Sequence, residues 1–280
     1  MIILRESNEI RIWVESQRNS GHSIGFVPTM GALHQGHISL VNQSKKENDF
    51  TVVSIFVNPT QFNNLQDLKK YPRTEKKDAE LLEDAGVDVL FIPSVEEMYP
   101  QETESHRFNF NGLENQMEGK FRPGHFDGVA TIVKKFFEII RPDRAYFGEK
   151  DFQQLRIIEE LVKQLSVKTQ IVPVEIMREL DGLAMSSRNT RLSVEMREEA
   201  PKIYQILQEA KIFLENHSVE KTKEFVVEAF AQTRLQLEYF EIADEQTLES
   251  VTEKSKDKKL RAFIAVFADE IRLIDNLGLY

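Results

Sequence analysis

Two histidines three residues apart, His34 and His37, stand in the stretch GFVPTMGALHQGHISLV (residues 25–41), between two apolar runs. Three chemistries fit them at the outset. They can be ordinary histidines with satisfied hydrogen bonds, or a metal pair on one helix face. The third reading uses position. The His-Gln-Gly-His run follows a strand-like segment, contains Gly36, and opens a helix near His37. The unpaired N–H groups and partial positive charge of a helix start favour phosphate, and imidazoles there can donate hydrogen bonds where charge develops in phosphoryl or nucleotidyl transfer. No third and fourth ligand stand at metal spacing, which weighs against zinc.

Three further stretches carry chemistry. RPDRAYFGEKDFQQL (141–155) sets Gly148, Lys150, Asp151 and Gln154 just after a strand-like run, with Lys150 a point cation suited to polyphosphate or an ordinary surface lysine. DGLAMSSRN (181–189) offers two hydroxyls and an arginine, as a lid over phosphates or a simple helix-capping loop. SIFVNPTQF (54–62) contributes Asn58 and Gln61, amides able to orient a polar substrate or to cap a turn. The chain has neither a G-x-x-x-x-G-K-[ST] loop nor a G-x-G-x-x-G after a strand, so P-loop and dinucleotide chemistries lack an anchor.

These residues must be positioned by the elements around them. Apolar runs at 23–28, 51–59, 87–93, 144–148 and 168–174 read as strands, and segments 37–48, 74–85, 127–140 and 151–165 carry helical periodicity. The alternation predicts an α/β fold with a parallel sheet covered on both faces. Pro28, Pro59, Pro93 and Pro173 are expected to end four strands, because proline cannot donate to a ladder, and to open loops at one carboxyl rim where such sheets bind ligands. After about residue 177 the texture changes. Two amphipathic helices, within SVEMREEAPKIYQILQEAKIFLENH and KTKEFVVEAFAQTRL, and strands EYFEIAD, LRAFIAVFAD and IRLIDNL predict a smaller α+β domain, with EKSKDKKLR (253–261) a solvated turn.

Composition bounds the remainder. A chain of 280 residues with 41% hydrophobic residues can build two domains. It contains no cysteine, hence no disulfide and no thiolate nucleophile, consistent with a reducing compartment. The opening MIILRESNEIRIWVE breaks its apolar run too early for a signal peptide, so a cytoplasmic protein without membrane association is expected. A net charge of −10 argues against nucleic acid as partner.

Taken together, PTMGALHQGH (28–37), SIFVNPTQF (54–62), YPRT (71–74), FRPGHFDGV (121–129), RPDRAYFGEKDFQQL (141–155) and DGLAMSSRN (181–189) resemble the pantoate–beta-alanine ligase family. The resemblance covers most of residues 25–190. It implies a Rossmann-like nucleotidyltransferase domain over 1–176, of the superfamily that includes class I aminoacyl-tRNA synthetases, and a C-terminal lid domain over 177–280. His-Gln-Gly-His stands for the usual His-Ile-Gly-His, and Met185-Ser186-Ser187-Arg188 for a Lys-Met-Ser-Lys-Ser-type loop. Leu180 departs from the small or polar residue expected before that loop.

The implied chemistry has two steps, pantoyl adenylate formation from (R)-pantoate and Mg-ATP, then attack by β-alanine to give pantothenate and AMP. Carried over by position, ATP would meet Met30, Gly31, Ala32, Leu33, His34, Gln35, Gly36, His37, Gly148, Glu149, Lys150, Asp151, Met177, Met185, Ser186, Ser187 and Arg188. Of these, His34, His37, Lys150, Ser186, Ser187 and Arg188 would be catalytic, with His37 a proton donor. Gln61, Gln154 and Asn58 would hold substrate. Mg2+ would use ATP oxygens and water, with Asp78 an outer ligand, and the family resemblance implies a homodimer. A sister nucleotidyltransferase acting on another acid, and a non-catalytic nucleotide-sensing module, are the alternatives.

Overall fold

In the computed structural model, which describes residues 1–255 and 257–279, the first two-thirds of the chain folds around six strands. They are β1 (Ile2–Leu4), β2 (Ile24–Thr29), β3 (Phe50–Ile55), β4 (Val89–Phe91), β5 (Arg144–Gly148) and β6 (Gln170–Val174). All are parallel, in the order β1-β4-β3-β2-β5-β6. Alternate residues of the central strands feed two apolar layers. Phe26 and Val52 meet Ile10, Val14 and Phe136 on one face, and Val27 and Val53 meet Val41, Leu82 and Tyr146 on the other. Burial on both faces is why these strands read as unbroken apolar runs.

The strand order reverses between β2 and β5, which makes a crevice at their carboxyl ends. Pro28 shows how it opens. The expectation that Pro28 and Pro173 terminate their strands is corrected: both lie inside, Pro28 in register with Ser54 and Pro173 with Phe147. In a parallel ladder the N–H and C=O of one residue face the same neighbour. The Ile24 carbonyl accepts from Asp143 N on the β5 side and the Thr29 carbonyl from Phe56 N on the β3 side. Even-numbered positions of β2 therefore face β5, and that ladder ends at Phe26↔Ala145. Pro28 lacks its N–H on the side where β2 and β5 are no longer paired, so it breaks none of the ladder bonds present, and the crevice lies where the two strands part. Pro59 and Pro93 lie beyond their strands as expected.

The expected helices form over Gln35–Glu47, Glu75–Asp84, His125–Ile140 and Phe152–Leu165. The edge strand β1 and the helix Ser7–Asn19 complete this layer. The C-terminal region has three helices, Val194–Glu199, Lys202–Asn216 and Val219–Ala231, where two were expected, because Pro201 interrupts the first. They pack on an antiparallel sheet of β7 (Gln236–Asp244), β8 (Leu260–Ala268) and β9 (Ile271–Gly278). Of the turn expected at 253–261, Lys256 lies outside the described residues, as does the terminal Tyr280. The two sheets are joined by apolar contact, with Phe263 of β8 against Phe152 at 5.8 Å between ring centroids, and by polar bonds described below.

Candidate active site

The crevice is a cleft of about 240 Å³. Its polar wall begins with the turn from β2 into the helix Gln35–Glu47. Gly31 and Ala32 both take positive φ, +78° and +50°. This strained turn is fixed from outside by Asp78: Ala32 N and Leu33 N donate to its two oxygens at 2.9 and 2.8 Å, and Thr74 Oγ1 donates to both at 3.1 Å. Asp78 is buried and does not line the cleft. The expected metal role is thereby corrected, because its oxygens are committed to backbone N–H groups and to Thr74.

The histidine spacing has a local cause. His34 Nδ1 accepts from Gly36 N at 3.1 Å, and His37 Nδ1 accepts from His34 N at 3.3 Å, a reciprocal cap at the helix start. A Cβ at Gly36 would sit 2.9 Å from His34 Nδ1 and Cε1, so only glycine leaves room for the capping ring. Because both Nδ1 atoms accept, each neutral ring carries its proton on Nε2. Burial, reinforced by Lys150, lowers His34 to about 4. Burial, then His34 and then Lys150, lowers His37 to about 3. The pair at neutral pH is two uncharged rings, 4.1 Å between centroids, each with one fixed N–H to offer. His37 thus presents a neutral Nε2–H, its Nδ1 being taken by His34 N.

The facing wall is the turn after β5. Gly148, Lys150, Asp151 and Gln154 line the cleft, and Lys150 Nζ lies 3.7 Å from Asp151 Oδ1. Glu149 does not line it and turns away toward Arg261, 3.7 Å distant. Gly31, Ala32, Leu33 and Gln35 are likewise not lining residues. The first three shape the turn, and Gln35 is exposed. Met30, Met177, Met185, Ser186, Ser187 and Arg188 do line the cleft. Ser186 Oγ accepts from Arg188 N at 3.2 Å, capping a short 3-10 helix Ser187–Arg191, while Ser187 Oγ donates to Ala32 O at 3.0 Å across the cleft. Arg188 and Arg191 each donate at 2.9 Å to the carboxylate of Asp67. Leu180 stands fully exposed, apart from the cleft.

At the cleft floor, Gln61 Nε2 points toward Met30 Sδ at 3.2 Å, and its Oε1 accepts from Asn58 Nδ2 at 3.0 Å. Asn58 Nδ2 also donates to Gly128 O, and its Oδ1 accepts from Thr60 and Tyr99 hydroxyls. Asn58, 1% exposed yet among the residues that line the cleft, orients Gln61 through its bond to Oε1.

Sequence reasoning assigned no role to Arg122 and His125, or to the apolar patch of Phe56, Val129, Val133 and Phe136. Arg122 Nη1 donates to His125 Nε2 at 3.2 Å, so His125 donates from Nδ1 to Gln61 O at 2.8 Å. Burial and Arg122 lower His125 to about 3, which keeps this chain neutral at the histidine. The signal for Arg122, His125 and Val129 is the FRPGHFDGV run at the head of a strongly apolar helix; Phe56, Val133 and Phe136 read only as apolar positions of a strand-like run and a helix.

Comparison with known proteins agrees with this geometry. The family model described as pantoate-beta-alanine ligase matches residues 2–278. The chain is 52% identical over 281 residues to a pantothenate synthetase of Flavobacterium psychrophilum, covering all of both chains. Among solved structures, a pantothenate synthetase from Thermus thermophilus superposes with a TM-score of 0.92 at 40% identity, covering both chains completely. A Francisella tularensis pantoate-beta-alanine ligase, complexed with beta-gamma ATP and beta-alanine, gives a TM-score of 0.82 at 38% identity, over all of this chain and 98% of that one.

Proposed function

We propose, from the premise that the chain belongs to the pantoate–beta-alanine ligase family, how its cleft performs that reaction. The enzyme joins (R)-pantoate and β-alanine to give pantothenate, with ATP as co-substrate. In the first step a pantoate carboxylate oxygen attacks the α-phosphorus of ATP and pyrophosphate leaves. In the second, the free amine of β-alanine attacks the acyl carbon of the adenylate, the C–N bond forms, and AMP departs with the bridging oxygen.

The observation that carries this reading is the pair of neutral imidazoles with their protons fixed on Nε2, facing Lys150 across the β2/β5 crevice. Donors held in place before reaction stabilise charge on the transferring phosphate without reorganisation. His34 and His37 donate to the phosphates, and Lys150 supplies the cation. Ser186, Ser187 and Arg188 close over the pyrophosphate, and Met177 borders the adenine. Phe56, Val133 and Phe136 suit the paired methyl groups of pantoate, while Gln61 and Gln154 meet its hydroxyls. No covalent enzyme intermediate is needed, in keeping with a site made of donors and with a chain that has no cysteine.

Magnesium fits as a companion of the triphosphate, whose charge it offsets. The described residues hold no cluster of three acidic or imidazole groups to cage an ion, and the carboxylates that line the cleft are Asp151 and Glu175. In the same reading residues 1–176 bind ATP and pantoate, residues 177–280 form the lid, and the enzyme works as a cytoplasmic homodimer. Family resemblance supports the dimer, and sedimentation at micromolar protein tests it. Among the described residues no helix is long and apolar enough to cross a membrane.

The decisive experiment is ATP–pyrophosphate exchange with and without (R)-pantoate, leaving out β-alanine. Pantoate-dependent exchange, followed by pantothenate formation when β-alanine is added, is the expected result. ATP binding without exchange for any acid would transfer the site to a nucleotide sensor. Exchange with a different acid alone would mark a sister nucleotidyltransferase.

A further inference from the structure

Lys150 stands on a 3-10 turn of three residues, Glu149–Asp151, whose preceding residue Gly148 supplies no side-chain cap. Such a turn fixes its own backbone weakly. The residue that holds it comes from the far end of the chain. Asn276, on β9, donates its two amide hydrogens from Nδ2 to Glu149 O at 2.8 Å and to Lys150 O at 2.9 Å. Its Oδ1 accepts from Arg261 Nη1 at 2.6 Å. An arginine offers donors only, so this contact decides which end of the amide is oxygen and aims both N–H groups at the turn.

Arg261 is fixed in its turn. Its Nε donates to Glu245 Oε1 at 2.9 Å, its guanidinium lies 3.9 Å from the centre of the Phe152 ring, and Nη2 approaches Glu149 Oε2 at 3.7 Å. Beside it, Asn276 N donates to Asp275 Oδ1, whose carboxylate is held by Arg178 at 2.6 and 3.0 Å. Asn276 is 2% exposed and does not line the cleft, so it touches no substrate there.

We infer that Asn276 is a positioning residue for Lys150: the C-terminal sheet reaches across and clamps the two carbonyls that set the height of the lysine over the phosphates. This inference rests on the phosphate role given to Lys150 above. A displacement of about 1 Å at such a group can cost on the order of a hundredfold in rate. The amide is suited to the task because one rigid group satisfies two successive carbonyls, whereas aspartate at 276 would present oxygens to both.

A double-mutant cycle tests it, read by pantoate-dependent ATP–pyrophosphate exchange in the full-length enzyme. Asn276→Ala is expected to lower kcat for exchange by about tenfold or more, with KM for pantoate changed less than about twofold. In a Lys150→Ala background the same change is expected to cost less than about twofold, because the group being positioned is gone. Asn276→Asp is expected to lower exchange at least as far as Asn276→Ala. Circular dichroism and thermal midpoints show that each variant is folded at the assay temperature. An equal loss in both backgrounds would overturn the positioning role and leave Lys150 in place. A Lys150→Ala enzyme that exchanged normally would overturn the Lys150 assignment itself, and the inference with it. If Asn276→Ala failed to fold, Asn276→Ser and Asn276→Gln in the same two backgrounds give the cycle, with loss expected only where Lys150 is retained.

Discussion

Two of the cleft's polar walls, the histidine turn and the Ser186–Arg191 turn, are built on opposite principles. The histidine turn is fixed by hydrogen bonds from its own backbone: the buried Asp78 accepts from Ala32 N and Leu33 N, and the imidazoles of His34 and His37 accept from Gly36 N and His34 N. The Ser186–Arg191 turn is held by ion pairs from Arg188 and Arg191 to Asp67, a carboxylate side chain about a quarter exposed, and by one hydroxyl bond from Ser187 to Ala32 O. Burial works against the charge on Asp67, and the two arginines outweigh it, keeping its pKa below the usual carboxylate value. Bonds from backbone donors to a carboxylate 2% exposed resist displacement, whereas ion pairs to a carboxylate about a quarter exposed exchange more readily for water or for another anion. One wall is therefore fixed before any ligand binds, and the other is held by contacts for which an anion can compete.

The strongest way to break this comparison is to remove donors from the rigid wall and the cation opposite. His34→Ala and Lys150→Ala are each expected to slow adenylate formation by about 10²-fold or more, measured by pyrophosphate exchange, and normal rates in folded variants would refute the assignment. Asp78→Ala comes next. It frees the turn without touching the cleft, and we expect about tenfold slower exchange together with a stability loss of roughly 2–3 kcal/mol by urea denaturation. An Asp78→Ala protein as stable and active as the parent would show that the turn holds itself.

The rigid wall also predicts a pH dependence. His34, His37 and His125 have folded-state values of about 4, 3 and 3, below the ordinary value near 6.5. Between these limits the unfolded chain binds more protons than the folded one, so stability rises with pH. Their contribution is complete above about pH 6.5 and is lost as pH falls toward 4, by on the order of a kcal/mol or more in sum. Chemical melts at pH 7, 5.5 and 4.5 measure it, and a His34→Gln/His37→Gln protein should show a shallower slope. An unchanged slope would mean that other groups carry it. The smallest effect is reserved for the movable wall. Asp67→Ala should cost under about 1 kcal/mol of stability and should leave exchange within a few-fold, with weaker dependence on added salt, because partly exposed ion pairs contribute little. A loss as large as that of Asp78→Ala would place the second wall in the same class as the first.

Much of this was legible in the residues. The alternation of apolar runs with helical periods gave five of the six parallel strands, and the turn-plus-helix pattern at residues 28–37 marked the phosphate-suited wall. The short β1, with three residues at the sheet edge, carries too little pattern to stand out. Pro28 was misjudged because chain order does not tell which neighbour a given N–H faces. Residue type and motif do not tell that both carboxylate oxygens of Asp78 are committed to backbone N–H groups and Thr74, outside the cleft lining, or that Asn58 at the cleft floor also orients Gln61.

What the sequence determined by itself was local: the alternation of elements, and a His-x-x-His spacing that makes a reciprocal helix cap with glycine between. Those depend on contacts within a few residues, which spacing encodes directly. The strand order that opens the crevice, the commitment of Asp78 to a turn 46 positions away, and the clamp of Asn276 on the carbonyls of Glu149 and Lys150 were decided by tertiary structure. A side-chain amide can serve a backbone N–H or C=O, and a carboxylate a backbone N–H, wherever one is brought within hydrogen-bond reach. Which group that is follows from the packing of the elements: within the six-stranded layer for Asp78, and of the second sheet against the first for Asn276.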